Sequence, residues 1–470
     1  MMTGPLQEHF RCPDDIGQLN APERPAGPAG FFRLGAEITL FGRLGVGQPA
    51  DRPEQATLDA LSAVQVGDGE CRLPFDPGEI LNNLLFERYP GAGRPAGAGP
   101  VWRRTAAAAY YAVRPIMPVG VRKHLQRSVV GRRQHAAPRF PTWPIDTTIE
   151  RALDELLRLA MAARGVDRVP FIWFWPEGYS SALTMTHDVE TEAGRDFTPT
   201  LMDLDERYGL KASFQVIPEQ RYAVPAAWLE GIRKRGFEIN VHDLNHDGRL
   251  FRDHEEFLRR AERINAYGRE WGAQGFRSAV LYRNLDWFGA LRFDYDMSLP
   301  NGAHFHPQAG GCCTVRPYFL GDMVEIPGTA AQDYILFQIL GDYSTRVWEE
   351  QLEATAAAHG VMCFSVHPDY IIPQRARGVY QRLGEKLAAE RRTGARWFAL
   401  PGEISHWWRQ RRAMQLRRQG TEWRIEGDGA ERARIAYAEI HDGRLRYVVP
   451  ATPAPPRPAL VSQQPSTLCP

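Results

Sequence analysis

The chain lacks what a membrane-spanning or disulfide-built protein would need. No apolar run approaches the roughly 18 residues that cross a bilayer, Phe171 to Trp175 and Tyr334 to Leu340 being short examples. Met1 to Asp15 has neither a basic opening nor an apolar stretch, and it carries Glu8, Arg11, Asp14 and Asp15, so no secretory leader is expected. Cysteine is scarce, six in 470 residues, with none spaced C-x-x-C and two adjacent as Cys312 and Cys313. That usage excludes a disulfide framework and points to reduced thiols in the cytoplasm. Acids are missing from Val101 to Ile145, where nine Arg or Lys stand, although the net charge of the whole chain is only +1.

What is present suits a large globular domain with one or two smaller units: 43% apolar and 24% charged side chains. Residues 1–95 form an irregular N-terminal region, with a strand expected around Ala36 to Leu40 and a helix from Pro77 to Tyr89. Residues 96–169 begin in a Gly/Pro linker and continue as a basic, aromatic segment. There Leu125, Val129 and Val130 beside five Arg or Lys suggest a helix lying on anionic lipid headgroups, so residues 101–140 are a candidate membrane contact. No recognised nucleic-acid fold accompanies the segment, and no nucleic-acid partner is expected.

From Ser181 onward, short β-rich runs alternate with helical ones, the pattern of βα units around a parallel sheet. Seven strands are expected: Ala182 to Thr186, Ala212 to Ile217, Phe237 to Val241, Gly275 to Ala279, Phe293 to Ser298, Met323 to Pro327 and Met362 to Val366. A βα barrel over residues 170–414 follows, with its chemistry at the carboxyl ends of the strands. Residues 415–450 read as a small β appendage, and the proline-rich 451–470 as a disordered tail.

The polar residues gather at those strand ends. The first strand ends in His187-Asp188-Val189-Glu190, and residues two apart on a strand share a face. One carboxylate can then bind a metal while its neighbour takes a proton from water. The third strand ends in His242-Asp243-Leu244-Asn245-His246, whose two imidazoles are spaced to reach one cation. Two nitrogens and a carboxylate make the ligand set of many open zinc sites. Arg277 lies on the fourth strand, Asp294 and Asp296 on the fifth, and His367 follows the last, ahead of Asp369.

In this order, an acidic motif, His-x-x-x-His, Arg, Asp and His, the chain resembles the polysaccharide deacetylase family with the NodB-homology domain, over about residues 170–400. The resemblance implies an α/β fold of the distorted (β/α)7 barrel type and a divalent metal cofactor, Zn2+ foremost. Thr186-His187-Asp188-Val189-Glu190 stands in place of the family's Thr-Phe-Asp-Asp-Gly. It is closer to an Asp-x-Asp variant, which would make Asp188 the catalytic base and Glu190 a metal ligand with His242 and His246. Arg277 matches the arginine that orients the base, with Ser278, Ala279 and Val280 where prolines usually follow. Asp296 resembles the acid of the fourth motif, and His367 matches the histidine that protonates the leaving group, with Asp296 or Asp369 keeping it charged.

Tyr282 and the loop Asn301 to Pro317, with His304 and His306, are candidate substrate contacts. The implied reaction is metal-dependent removal of acetyl groups from an acetylated sugar or polysaccharide precursor, in the cytoplasm or at the inner membrane face. Two alternatives stay open: an amidohydrolase acting on a non-sugar cyclic amide, and a catalytically silent glycan-binding protein.

Overall fold

The computed structural model describes residues 4–16, 19–20, 25–67, 69–92 and 140–450. The basic segment Trp102 to Arg139 and the tail 451–470, on which the membrane-contact and disorder expectations fall, lie outside them. Among the described residues no helix is long and apolar enough to cross a membrane.

Seven parallel strands build the curled central sheet: β1 (Ser181–Val189), β2 (Ala212–Val216), β3 (Glu238–His242), β4 (Gly275–Arg277), β5 (Tyr295–Asp296), β6 (Met323–Glu325) and β7 (Val361–Val366). They follow one another in the order β6, β5, β4, β3, β2, β1, β7. Each expected strand is present, with β4, β5 and β6 shorter than their apolar runs. Tyr318–Leu320 adds an antiparallel edge to β6, and Arg396–Phe398 pairs parallel with the start of β1. The barrel ladder is open between β6 and β7. There Thr329 Oγ1 supplements the backbone bond from Ala330 N to Cys363 O: it donates to Val361 O and accepts from Cys363 N, both at 2.8 Å.

β1 is central, and all nine of its residues are buried. A strand buried on both faces must satisfy its polar groups internally. Thr186 Oγ1 donates to Phe364 O at 2.6 Å. His187, on the face opposite Asp188, places its ring nitrogens 3.2 Å from Val366 O and 2.9 Å from Asp205 Oδ2, and Tyr380 also bonds Asp205. This buried His-Asp-Tyr set ties β1 to helices Glu192–Arg207 and Gln374–Thr393.

The helices between strands pack by apolar stripes. In His254–Trp271, Phe257, Ala261, Ile264, Gly268 and Trp271 recur at helical spacing and are buried. Asp253 caps its start by accepting from Glu256 N, and Gly272 ends it in the left-handed conformation. Gly275 on β4 has a different constraint. A Cβ there would fall 2.3 Å from the Tyr295 ring of β5.

The N-terminal region shares a core with the strand residues Ala182, Val324 and Val361. The hairpin Gly30–Leu34 and Ile38–Gly42, helix Pro77–Leu85 and helix Thr148–Ala163 share one core with Phe10, Phe171 and Ala436. Residues 415–450 form a hairpin, Gln415–Gln419 with Glu422–Glu426, and two further strands, of which Ile435–His441 pairs antiparallel with Arg168–Ile172. The C-terminal strands therefore share a sheet with the strand that precedes β1. A buried ion pair fastens the N-terminal region to the loop after β4, where Arg283 bonds both oxygens of Glu87, and Glu87 Oε1 also accepts from Gly311 N in the loop after β5 at 2.6 Å. Tyr89 donates to Gly311 O at 2.6 Å. The five described cysteines are free and buried.

Candidate metal centre

Glu190, His242 and His246 present ligand atoms that all lie within 4.8 Å of one another. Glu190 leaves the end of β1, and its Oε1 is 2.8 Å from His246 Nε2 and 3.9 Å from His242 Nε2. The histidines meet because the backbone after β3 turns tightly, with Asp243 and His246 both in the left-handed region. Asp243 N donates to Arg277 O at 2.9 Å, and Leu244 N to Asp243 Oδ1 at 2.6 Å, which holds the turn.

The residues fit a divalent cation. His242 Nδ1 lies 3.1 Å from Arg277 O, so a proton there leaves Nε2 free to coordinate. The Nε2 atoms of His242 and His246 are buried without a hydrogen-bond partner, since Glu190 Oε1 stands near the second but off the line of a good bond. On the far side of His246, Arg221 donates to its carbonyl at 2.7 Å and lies 3.2 Å from Nδ1. The Glu190 side chain is 23% exposed while the imidazoles are 6% or less, so the cluster opens to solvent on the Glu190 side.

Asp188 stands beside this cluster. Its Oδ1 accepts from Arg277 at 2.6 Å, and its Oδ2 accepts from Ser365 Oγ at 3.0 Å. Burial pushes this carboxyl up, but Arg277, His242 and His367 outweigh burial and hold it down at about 2. Arg277 is itself held by Thr186 Oγ1 at 2.8 Å and Met297 O at 3.2 Å. Gln332 donates to Ser365 Oγ at 3.2 Å, extending the support of the base.

His367 Nε2 is 3.6 Å from Glu190 Oε1 and 3.8 Å from Asp188 Oδ2. Its Nδ1 lies 2.6 Å from Asp333 Oδ1, and its backbone N–H donates to Asp333 Oδ2 at 2.9 Å. Burial lowers the pKa of His367, yet Asp333 and Glu190 more than reverse this and raise it well above the ordinary histidine range.

The structure thus brings together Asp188, Glu190, His242, His246, Arg277 and His367. It corrects the expectation for Asp296, whose hydrogen bonds go to Ser298 Oγ and Ser298 N at 2.7 and 2.9 Å. Its register neighbours on β4 and β6 are Phe276 and Glu325, which turn it into a buried acid pair behind Arg277. Asp369 lies near His367 but does not bond it. The acid that does, Asp333, sits in the β6–β7 connection, where nothing in the local sequence sets it apart. Ser365 was equally inconspicuous.

Among the candidate substrate contacts, Tyr282 packs over Gly248, just past His246. His304 faces elsewhere, its Nε2 2.9 Å from Pro141 O and its ring against Trp143. His306 lines a small cavity with Trp143, Asn301, Phe305 and Gln351, and burial with Arg283 nearby pushes its pKa to about 3. Among the described residues no hydrogen bond or ion pair connects His304 or His306 to the metal cluster.

No protein-family model matches the sequence, and no curated protein matches it. The chain is structurally similar to polysaccharide deacetylases over about half its length. A Mycobacterium smegmatis protein assigned as a polysaccharide deacetylase is 19% identical, with 51% of this chain and 93% of that one covered and a TM-score of 0.40. The peptidoglycan deacetylase PdaC of Bacillus subtilis is 11% identical, with 49% and 93% covered and a TM-score of 0.33. PuuE allantoinase is 13% identical, with 50% and 92% covered and a TM-score of 0.36.

Proposed function

We propose that the protein is a metal-dependent hydrolase that removes acetyl groups from an acetylated sugar or polysaccharide precursor. One observation carries the reading. An open Glu-His-His cluster has a tethered, ionised carboxylate on one flank and an acid-paired imidazole on the other. When bound, a divalent cation, zinc foremost, supplies Lewis-acid polarisation of the acyl carbonyl and makes water easier to deprotonate.

The chain's own groups do the rest. Asp188, kept ionised and aimed by Arg277 and Ser365, accepts the proton of the attacking water. The water oxygen bonds to the carbonyl carbon as the bond from that carbon to the sugar nitrogen or oxygen breaks. His367, charged through Asp333, gives its Nε2 proton to the departing amine or alcohol, and acetate leaves. Arg277 and Asp333 touch no reacting atom and act as positioning residues. In this reading the substrate is a cytoplasmic or lipid-linked saccharide, with residues 101–140 as the membrane contact.

The test pairs metal analysis with acetate release from N-acetylhexosamine oligomers. Asp188→Asn is expected to keep its metal and lose roughly two to four orders of magnitude in rate. His242→Ala should lose metal and activity together. Full metal content in the His242→Ala protein overturns the ligand assignment. Ring opening of a cyclic amide without acetate release moves the protein to the amidohydrolases, and sugar binding with neither metal nor hydrolysis makes it a glycan-binding protein.

A further inference from the structure

One neighbour of the metal ligands is arranged against a cation rather than for it. His242 offers its Nε2 because its Nδ1 faces a carbonyl, Arg277 O, which can only accept a proton. His246 has the reverse kind of partner. Arg221 Nη2 lies 3.2 Å from its Nδ1, and a guanidinium can only donate, so this nitrogen meets Arg221 with its lone pair. A neutral imidazole then carries its proton on Nε2, the atom that stands 2.8 Å from Glu190 Oε1. Coordination through Nε2 requires the proton on Nδ1 instead, where it would point at an N–H of Arg221.

Charge acts in the same direction. Among the described residues Arg221 forms no ion pair, and its other bonds go to carbonyls of the same turn, His246 O at 2.7 Å and Asn245 O at 3.3 Å. No acid therefore offsets the guanidinium, which stands one imidazole away from a site for a dication. The backbone keeps Arg221 in this place. Glu219 N donates to Leu244 O at 3.0 Å, while Tyr222 Oη donates to Val189 O at 2.6 Å and accepts from Ile217 N at 3.0 Å. The segment after β2 is thus tied to both ligand-bearing turns. Arg221 itself is exposed, so solvent is open to its side chain once it leaves Nδ1.

We propose that Arg221 is a brake on metal loading: bonded to Nδ1 of His246, it holds that ligand in the tautomer that does not coordinate, and a cation binds only as Arg221 lets go. This rests on the Glu190, His242 and His246 ligand assignment of the deacetylase reading and adds regulation of that site. The usual partner behind a metal-bound histidine does the opposite, accepting the ring N–H and strengthening the ligand.

The experiment uses the full chain, stripped of metal by a chelator, with zinc as the probe. Competition against a chromophoric zinc chelator gives Kd for the unaltered protein, Arg221→Gln and Arg221→Ala, and the melting temperature of each metal-free protein checks its fold. The substitutions are expected to tighten zinc binding about tenfold or more. The rise in melting temperature at a fixed zinc concentration should grow with the affinity. Tighter binding in either variant supports the brake, and so does zinc binding that is absent from the unaltered chain and present in a variant. A Kd unchanged in both variants overturns it. Weaker binding in both overturns it as well and makes Arg221 a support for the His246 turn. Absence of zinc binding from all three proteins overturns the brake together with the ligand assignment. Tighter zinc binding in the variants with no acetate release by any of the proteins leaves the brake standing and removes only the hydrolase reading.

Discussion

Asp333 grips His367 twice, accepting the backbone N–H at Oδ2 and meeting the ring nitrogen at Oδ1, 2.9 and 2.6 Å away. This double hold fixes the ring's direction and favours its charged form. Asp333→Asn removes the anion with little change in shape. Acetate release should fall by roughly two orders of magnitude or more. The sign of the pH effect is set by the loss of an acid that raises the His367 pKa. The alkaline limb of the rate profile, where His367 loses its proton, should move to lower pH. An unmoved limb would show that Asp333 only shapes the turn.

Metal binding should be readable without turnover. A cation that binds only the folded chain stabilises it by about 2.7 kcal/mol at a hundredfold excess over Kd. Zinc added to metal-free protein should therefore raise the melting temperature, and a chelator should reverse the rise. His246→Ala should show neither effect, while Asp188→Asn keeps both.

The Glu87–Arg283 pair predicts a large stability effect far from the metal. Both side chains are at most 3% exposed. Removing one partner strands the other charge in the interior, at a cost of about 3–5 kcal/mol. Glu87→Ala should lower the urea midpoint accordingly, while the apolar pair Glu87→Leu with Arg283→Met should recover much of the loss. Equal midpoints for Glu87→Ala and the unaltered chain would show the pair to be solvated.

The acid pair behind Arg277 makes a pH prediction. Burial and Asp296 raise the pKa of Glu325 well above the carboxylate range, and Asp296 is raised as well. Between the ordinary carboxylate range and that raised value, the folded chain holds more protons than the unfolded one. Stability contributed by this pair is therefore present at low pH and lost as pH rises. Glu325→Gln cannot ionise, so its stability relative to the unaltered protein should improve steadily from pH 5 to 9. Parallel unfolding midpoints across that range would rule the pair out as the source.

The seven strands were legible because each is an apolar run between turn residues, and His254–Trp271 because its stripe and caps are local. The ends of β1 and β3 likewise disclosed Asp188, Glu190, His242 and His246, since spacing along one strand or one turn is a property of the chain itself. Only the folded sheet decided which acid meets His367. Asp296, Asp369 and Asp333 are equivalent as letters, and the choice among them depends on how β5 registers between β4 and β6 and how the β6–β7 connection crosses the strand ends. The same holds for Ser365 on Asp188 and for Glu87 on Arg283, partners 177 and 196 positions apart. Local pattern settles what a segment becomes, because backbone geometry and burial act over a few residues. Long-range packing settles what a side chain meets, because that depends on the register of strands whose neighbours are distant in sequence.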